Sequence, residues 1–382
     1  MTDTLRTRNL RMKRAVQVLF FCMVFFIVLS HYLGRQGVDL GWPARMSFHA
    51  LCPFGAVETA GRLLLQGRFI PKTHQSNLWL FAGVSVSTLL FGAMFCGYLC
   101  PLGSVQEWVG SLGRKLLGRR YNRFPSGRLD RLLGYLRYGM FILIVVQTTR
   151  AVNLVFSRFD PYYALFHFWM GDVFLSGMLV LAGVMLLSLF VERPWCRWLC
   201  PFGALLGIIQ RFAPWKVSRN REACTSCGHC SRACPMRIAV HLETRVSHAR
   251  CNRCGSCIDA CPRAGALALS LRRGGRHPLR RWAAVLLLVV LVAAPVLVAR
   301  SAGLVQAPGW EQRAGKVLEI SGLMTLGEAA SRLGLDVAGT RNLLNLGPEV
   351  PESTRLIDLE DIDGALTLHA LRELLTGHPS IE

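Results

Sequence analysis

The chain has 382 residues, 52% of them hydrophobic, and a formal charge of +21. That is too apolar for an ordinary soluble domain of this length and points to membrane-spanning segments. The charge is uneven: residues 303–382 hold 12 acidic and 6 basic side chains, while the remainder is net +27. No DNA- or RNA-binding motif accompanies the basic residues, so nucleic acid is set aside as a partner.

Residues 15–34 contain no charged side chain, and neither do 77–106, 173–191 and 282–299. Each run is near the ~20 residues that cross a bilayer. Residues 133–149 form a fifth candidate, with Arg137 in the first turn, where it can snorkel to the headgroups. The first run follows a basic stretch, yet it is long and lacks a small-residue cleavage site before His31 and Tyr32, so it reads as a retained helix. The N-terminus, the connection through Arg114, Arg119, Arg123 and Arg128, and the segment before 282 are all basic. The positive-inside rule puts these in the cytoplasm and, with five helices, the C-terminus outside.

Two copies of one motif end hydrophobic runs: Phe95-Cys-Gly-Tyr-Leu-Cys-Pro-Leu-Gly103 and Trp195-Cys-Arg-Trp-Leu-Cys-Pro-Phe-Gly203. A spacing of four places Cys96 with Cys100, and Cys196 with Cys200, on one helix face. Pro101 and Pro201 mark a break, and amphipathic stretches follow each, as interfacial helices. A duplicated helix pair brings four sulfurs together, which suits a metal or cluster site, a redox-active dithiol, or packing alone. A partial third copy, Cys52-Pro-Phe-Gly55, has Phe48 where the earlier cysteine would stand.

Next come Cys224, Cys227, Cys230 and Cys234 before Pro235, then Cys251, Cys254, Cys257 and Cys261 before Pro262. Both runs read C-x2-C-x2-C-x3-C-P, the spacing of bacterial two-cluster ferredoxins, in which the fourth cysteine ligates the other cluster. Cluster I then takes Cys224, Cys227, Cys230 and Cys261; cluster II takes Cys251, Cys254, Cys257 and Cys234. Gly228 and Gly255 lie where the backbone passes close to a cluster. Structural zinc favours separated C-x2-C pairs instead. A reducing cytosol keeps such thiols available as ligands.

Beyond the last hydrophobic run, Thr325 reads as an N-cap, with Glu328 completing a capping box. Residues 337–346 and 366–375 are further helical candidates. The expected organisation is a membrane domain over 1–215, with helices near 15–34, 77–100, 133–149 and 173–191. A two-cluster ferredoxin-like domain follows over 216–270, then a basic linker with a fifth transmembrane helix over 271–300, and a small helical C-terminal domain over 301–382. The fold class is an α-helical membrane protein of about five transmembrane helices, with an inserted two-[4Fe–4S] ferredoxin-like α+β segment. His31, His49, His74 and His167 follow no haem-ligand pattern. Arg137, Glu107, His167 and Asp172 are candidates for the proton-accepting side of a quinol site.

The paired CxxxCP motifs at 96–101 and 196–201 and the ferredoxin runs at 224–235 and 251–262 resemble the membrane-bound polyferredoxin-like family. That family includes the quinol dehydrogenase membrane component of periplasmic nitrate reductase systems, the iron–sulfur half of the nitrous-oxide-reductase regulatory protein, and membrane electron-transport 4Fe–4S proteins. The resemblance covers roughly residues 10–300. It implies a multi-pass protein of the cytoplasmic membrane with N-terminus and clusters inside. It also implies electron passage between membrane quinol and an unidentified redox partner protein, and a redox role for Cys96, Cys100, Cys196 and Cys200. At most the chain is a quinol dehydrogenase-type electron-transfer subunit. The regulatory protein's covalent flavin is not implied, because no small-residue Thr motif is found. The rival reading is a membrane maturation or regulatory factor whose CxxxCP thiols handle a metal or a disulfide.

Overall fold

The computed structural model describes residues 2–35, 76–123, 127–150, 155–168, 173–271, 279–302, 324–333, 336–344, 346–347, 349–356 and 358–359. Cys52, His49, His74, Asp172 and the helix expected at 366–375 lie outside them.

The described chain is mostly helical. Helix α1 runs Thr2–Arg35. Helix α2 (Ser76–Phe91) leads through a break into the short α3 (Met94–Tyr98) and then α4 (Pro101–Leu117). Helices α5 (Gly127–Arg150), α6 (Pro161–His167) and α7 (Leu175–Ser188) follow. A single π turn at Trp195–Leu199 precedes α8 (Pro201–Ile209). The ferredoxin segment comprises β1 (Lys216–Arg219), α9 (His229–Arg232), α10 (Ser256–Asp259) and β2 (Leu267–Ser270). Helix α11 covers Arg281–Ser301, and α12 (Leu326–Leu333) and α13 (Val337–Leu343) belong to the C-terminal part.

Two helical stretches among the described residues, Thr7–Ser30 and Arg281–Ala299, are long and apolar enough to cross a membrane, whereas the apolar helices Asn77–Phe91 and Leu175–Ser188 are shorter. The expected helix at 77–100 is interrupted. Gly92 takes φ +75, and a β-carbon there would lie 2.6 Å from Nε of Arg253, so the chain turns where the ferredoxin segment presses on it. Arg137 does not snorkel. It is buried in α5, donates from Nη2 to Tyr138 Oη at 2.9 Å, and packs beside Gly207.

The main core joins α2, α3, α4, α7, α8 and α11 through Leu80, Val84, Phe95, Leu102, Val184, Leu206 and Leu288. Gly83 lets α2 and α11 approach closely; a β-carbon there would meet Leu291 O at 2.5 Å. The outward surface is apolar too. Leu19, Leu132, Ile142, Leu175, Leu179, Leu186, Leu286 and Val290 are all exposed. In α4 the buried face carries Ser104, Gln106, Gly110 and Gly113, while Leu112 and Leu116 point outward.

Strands β1 and β2 pair antiparallel, Lys216 opposite Ser270 and Arg219 opposite Leu267. This two-stranded ribbon supports both cysteine loops and their core of Val217, Met236, Ile238, Val240 and Val246. In the C-terminal part the expected capping box is present: Thr325 N–H donates to Glu328 Oε2 at 3.1 Å, and Glu328 N–H donates to Thr325 Oγ1 at 3.2 Å. Its separate core includes Leu326, Leu344, Leu356 and Leu359.

Candidate iron–sulfur centres

The two cysteine runs fold alike. Ser226 and Gly228 flank Cys227 with φ +53 and +72, and Arg253 and Gly255 flank Cys254 with φ +52 and +78. Left-handed residues on either side curl the chain, so that amides and sulfurs face inward before α9 and α10 begin. Glycine was legible at 228 and 255. The left-handed Ser226 and Arg253 were not, because non-glycine residues at positive φ carry no compositional mark.

Two cavities result. One is lined by Cys224, Cys227, Cys230 and Cys261. The other is lined by Cys234, Cys251, Cys254 and Cys257. Each cavity is lined by three cysteines of one run and the fourth of the other. Among the described residues no three His, Cys, Asp or Glu side chains converge on a single-ion site.

The sulfurs also fit anionic ligands. The Ser226 amide and Arg219 depress the Cys224 thiol, and the His229 amide and side chain bring Cys227 to about 7. Burial, then the neighbouring Cys254 and Cys251, pushes Cys234 up to about 12. A bare set of buried thiols does not ionise readily, and bound iron supplies the positive charge that deprotonates it. Cys257 lies within electrostatic reach of Cys230, which makes the two cavities neighbours.

The cavities differ in surroundings. Cys227 is exposed, as are Thr225, Ser226 and Arg263 beside it. The loop carrying Asn252, Arg253, Cys254 and Gly255 is buried against the helices. A β-carbon on Gly97 would sit 2.5 Å from Asn252 O and 3.2 Å from Cys254 Cα, and Tyr98 Oη donates to Cys254 O at 3.3 Å. Arg281 pairs with Asp259 at 2.6 Å and donates to Gly255 O. Asp130 receives Arg197 at 2.5 Å, Arg250 at 3.0 Å and Trp198 Nε1 at 2.9 Å. Burial opposes ionisation of Asp130, but Trp198, Arg197 and Arg250 outweigh it and hold its carboxyl below the usual range.

Gly97 belongs to the first CxxxCP motif. Cys100 caps α4 and Cys200 caps α8 with nearly the same backbone, φ −62 in both and ψ 114 and 112. The Cys100 amide donates to Phe95 O at 3.0 Å, as the Cys200 amide does to Trp195 O at 2.9 Å. The repeat is thus structural as well as sequential. Cys96 lies within electrostatic reach of Cys100, Cys196 and Cys200. Between the two motifs, fully buried Arg193 donates to Cys96 O at 2.6 Å and pairs with Glu107 at 2.5 Å. Lys13 pairs with the other Glu107 oxygen at 2.5 Å. Burial would raise the Glu107 carboxyl, but Arg193 and Lys13 bring it down to about 2.

Asp160 was not singled out from the sequence. It caps α6, accepts from Tyr162 N–H at 3.0 Å, and is pushed up to about 6 by burial. An Asp-Pro step marks a helix start, though not its burial. His167 is buried on the same helix, its Nδ1 2.8 Å from Tyr163 O. Phe166 packs against Phe21 of α1, which in turn meets Trp108 of α4.

A family model described as a 4Fe–4S binding domain matches residues 73–120 and again 173–220. A 4Fe–4S dicluster domain matches 216–262. YccM of Escherichia coli, named for a proposed role in electron transport, is 30% identical over 78% of this chain and 86% of its own length. The methylamine utilization ferredoxin-type protein MauN of Methylobacillus flagellatus is 29% identical over 60% of this chain and 77% of its own. The ferredoxin-type protein NapH of Haemophilus influenzae is 27% identical over 45% of this chain and 59% of its own. No solved structure matches.

Proposed function

Because the chain belongs to the polyferredoxin-like family of ferredoxin-type iron–sulfur electron-transport proteins, we propose that it is a multi-pass protein of the cytoplasmic membrane carrying electrons between the quinone pool and a redox partner. Two [4Fe–4S] clusters serve it, one held by Cys224, Cys227, Cys230 and Cys261 and the other by Cys234, Cys251, Cys254 and Cys257. When bound, the clusters accept and release single electrons.

The observation that carries this reading is the layering of the cysteine cavities. One opens beside exposed Cys227 and Arg263, and the other sits against Gly97 and Tyr98 of the helical part. This layering supports a partner protein at the first cavity and the membrane at the second. Arg219, Arg221, Arg232 and Arg263 around the outer cavity favour a partner with an acidic face. The outward apolar belt of α1, α5, α7 and α11 supports embedding in lipid, since patches of that extent are rare on soluble monomers. The basic segments keep the cysteine loops on the cytoplasmic side.

Quinol oxidation releases protons as well as electrons. Asp160, held near pH 6 in a buried site beside the aromatic cluster of Phe21, Tyr162 and Phe166, is the group suited to take one. Glu107 is not, because its ion pairs with Arg193 and Lys13 keep it ionised and occupied.

Anaerobic reduction by a quinol analogue tests the reading. Purified protein should develop the EPR signal of reduced clusters, and Asp160→Asn should slow its appearance. Clusters that stay oxidised while Cys96, Cys100, Cys196 and Cys200 exchange disulfides or take up copper would instead favour a maturation factor.

A further inference from the structure

We propose that Cys96, Cys100, Cys196 and Cys200 together ligate a third iron–sulfur cluster, one centre shared by both CxxxCP repeats and seated behind the inner ferredoxin loop. This rests on the electron-carrier reading above and extends it by one site.

The first support is convergence. Arg193, just before the second repeat, donates to Cys96 O of the first at 2.6 Å, and Gln106, just after the first, donates to Cys196 Sγ of the second at 3.5 Å, so the two repeats interlock at their cysteines.

The second is the set of donors aimed at the sulfurs. Gly203 N–H donates to Cys200 Sγ at 3.3 Å, and Gln106 Nε2 to Cys196 Sγ at 3.5 Å. Arg193 adds a buried cation within reach of Cys196. Such donors stabilise anionic thiolates bound to a cluster and tune its potential.

The third is matched construction. Two repeats present cysteine at the same helix-capping position with the same backbone, and a 4Fe–4S binding domain matches both. Each repeat supplies two ligands, so neither completes a site alone. Position gives the centre a use. Cys196 packs with the ferredoxin core, while Cys96, Cys100 and Cys200 pack with the helical core. Gly97, within the first repeat, touches the Cys254 backbone. Transfer through this centre moves one electron in for each one out. It makes and breaks no bond and requires no proton.

Iron and acid-labile sulfide in anaerobically purified full-length protein test the proposal. Two cubane clusters account for about eight irons per chain. The wild type should exceed that number, and Cys200→Ser should fall back to it while keeping the ferredoxin EPR signals. Cys227→Ser should lose about four irons and retain the Cys200-dependent fraction. A wild-type count of about eight, unchanged in Cys200→Ser, overturns the proposal. So does an intramolecular disulfide among the four cysteines in wild-type protein alkylated anaerobically, a measurement that needs no variant to fold. If the ferredoxin reading were the faulty one, the iron count would instead be insensitive to Cys227→Ser.

Discussion

Gly97 and Cys254 meet backbone to backbone: a methyl group on Gly97 would lie 3.2 Å from Cys254 Cα and 2.5 Å from the neighbouring Asn252 carbonyl. This is the seam between the helical part and the inner cysteine loop. Gly97→Ala should cost about 1–3 kcal/mol by overpacking. It should also loosen the loop, so that limited proteolysis cuts within 216–270 sooner than in wild type, and equal rates would show that the seam tolerates a side chain.

The two cysteine sets should respond differently to loss of one ligand. Cys227 is exposed at the rim of the outer cavity, so Cys227→Ser should remove one cluster and leave the other's EPR signal in place. Cys254 is buried at the seam beside Tyr98. Cys254→Ser should remove the other cluster and accelerate proteolysis as well. Matching proteolysis in the two variants would count against the layered arrangement.

Glu107 ties α1 to α4 and to the turn before α8 through Lys13 and Arg193. Its carboxyl titrates at about 2 in the folded protein and at about 4.3 when unfolded. The depressed value means its contribution is full above pH 4.3 and disappears as pH falls toward 2. Glu107→Gln leaves two buried cations without their anion and should cost about 3–5 kcal/mol at neutral pH. The stability gap between wild type and variant in detergent should shrink on acidification through that window. A gap independent of pH would separate the residue's role from its charge.

Asp130 joins α5, the turn before α8 and the ferredoxin segment by accepting from Arg197, Arg250 and Trp198. In Asp130→Asn the buried Arg197 loses its counter-charge, for an expected loss of about 3–5 kcal/mol. Thermal unfolding followed by cluster absorbance should show that loss as an earlier release of iron. An unchanged profile would mean that the segment does not depend on this contact.

What the sequence revealed was local. The two cysteine runs, the glycines 228 and 255 set within them, and the Thr325–Glu328 box each depend on spacings of a few residues, and spacing is what a sequence displays. The twin CxxxCP motifs were visible for the same reason. The Lys13–Glu107–Arg193 network was not, because its members are about 90 positions apart and each alone looks like a topological charge. The break at Gly92 escaped for a related reason: an uncharged run reads as continuous helix until Arg253, far along the chain, is known to press on it. Arg137 was read as a headgroup anchor, because nothing nearby announced that Gly207 leaves room to bury it.

Helices α2 and α7 have 16 and 14 residues, or about 24 and 21 Å of rise. A hydrocarbon layer is roughly 30 Å thick. Both are followed closely by a cysteine motif. On the membrane reading proposed above, this shortfall would draw the lipid surface inward around them, or leave the motifs sunk beneath the headgroups. The thiols would then stand at a depth that a hydrophobic carrier diffusing between the leaflets can approach sideways, without leaving the oil.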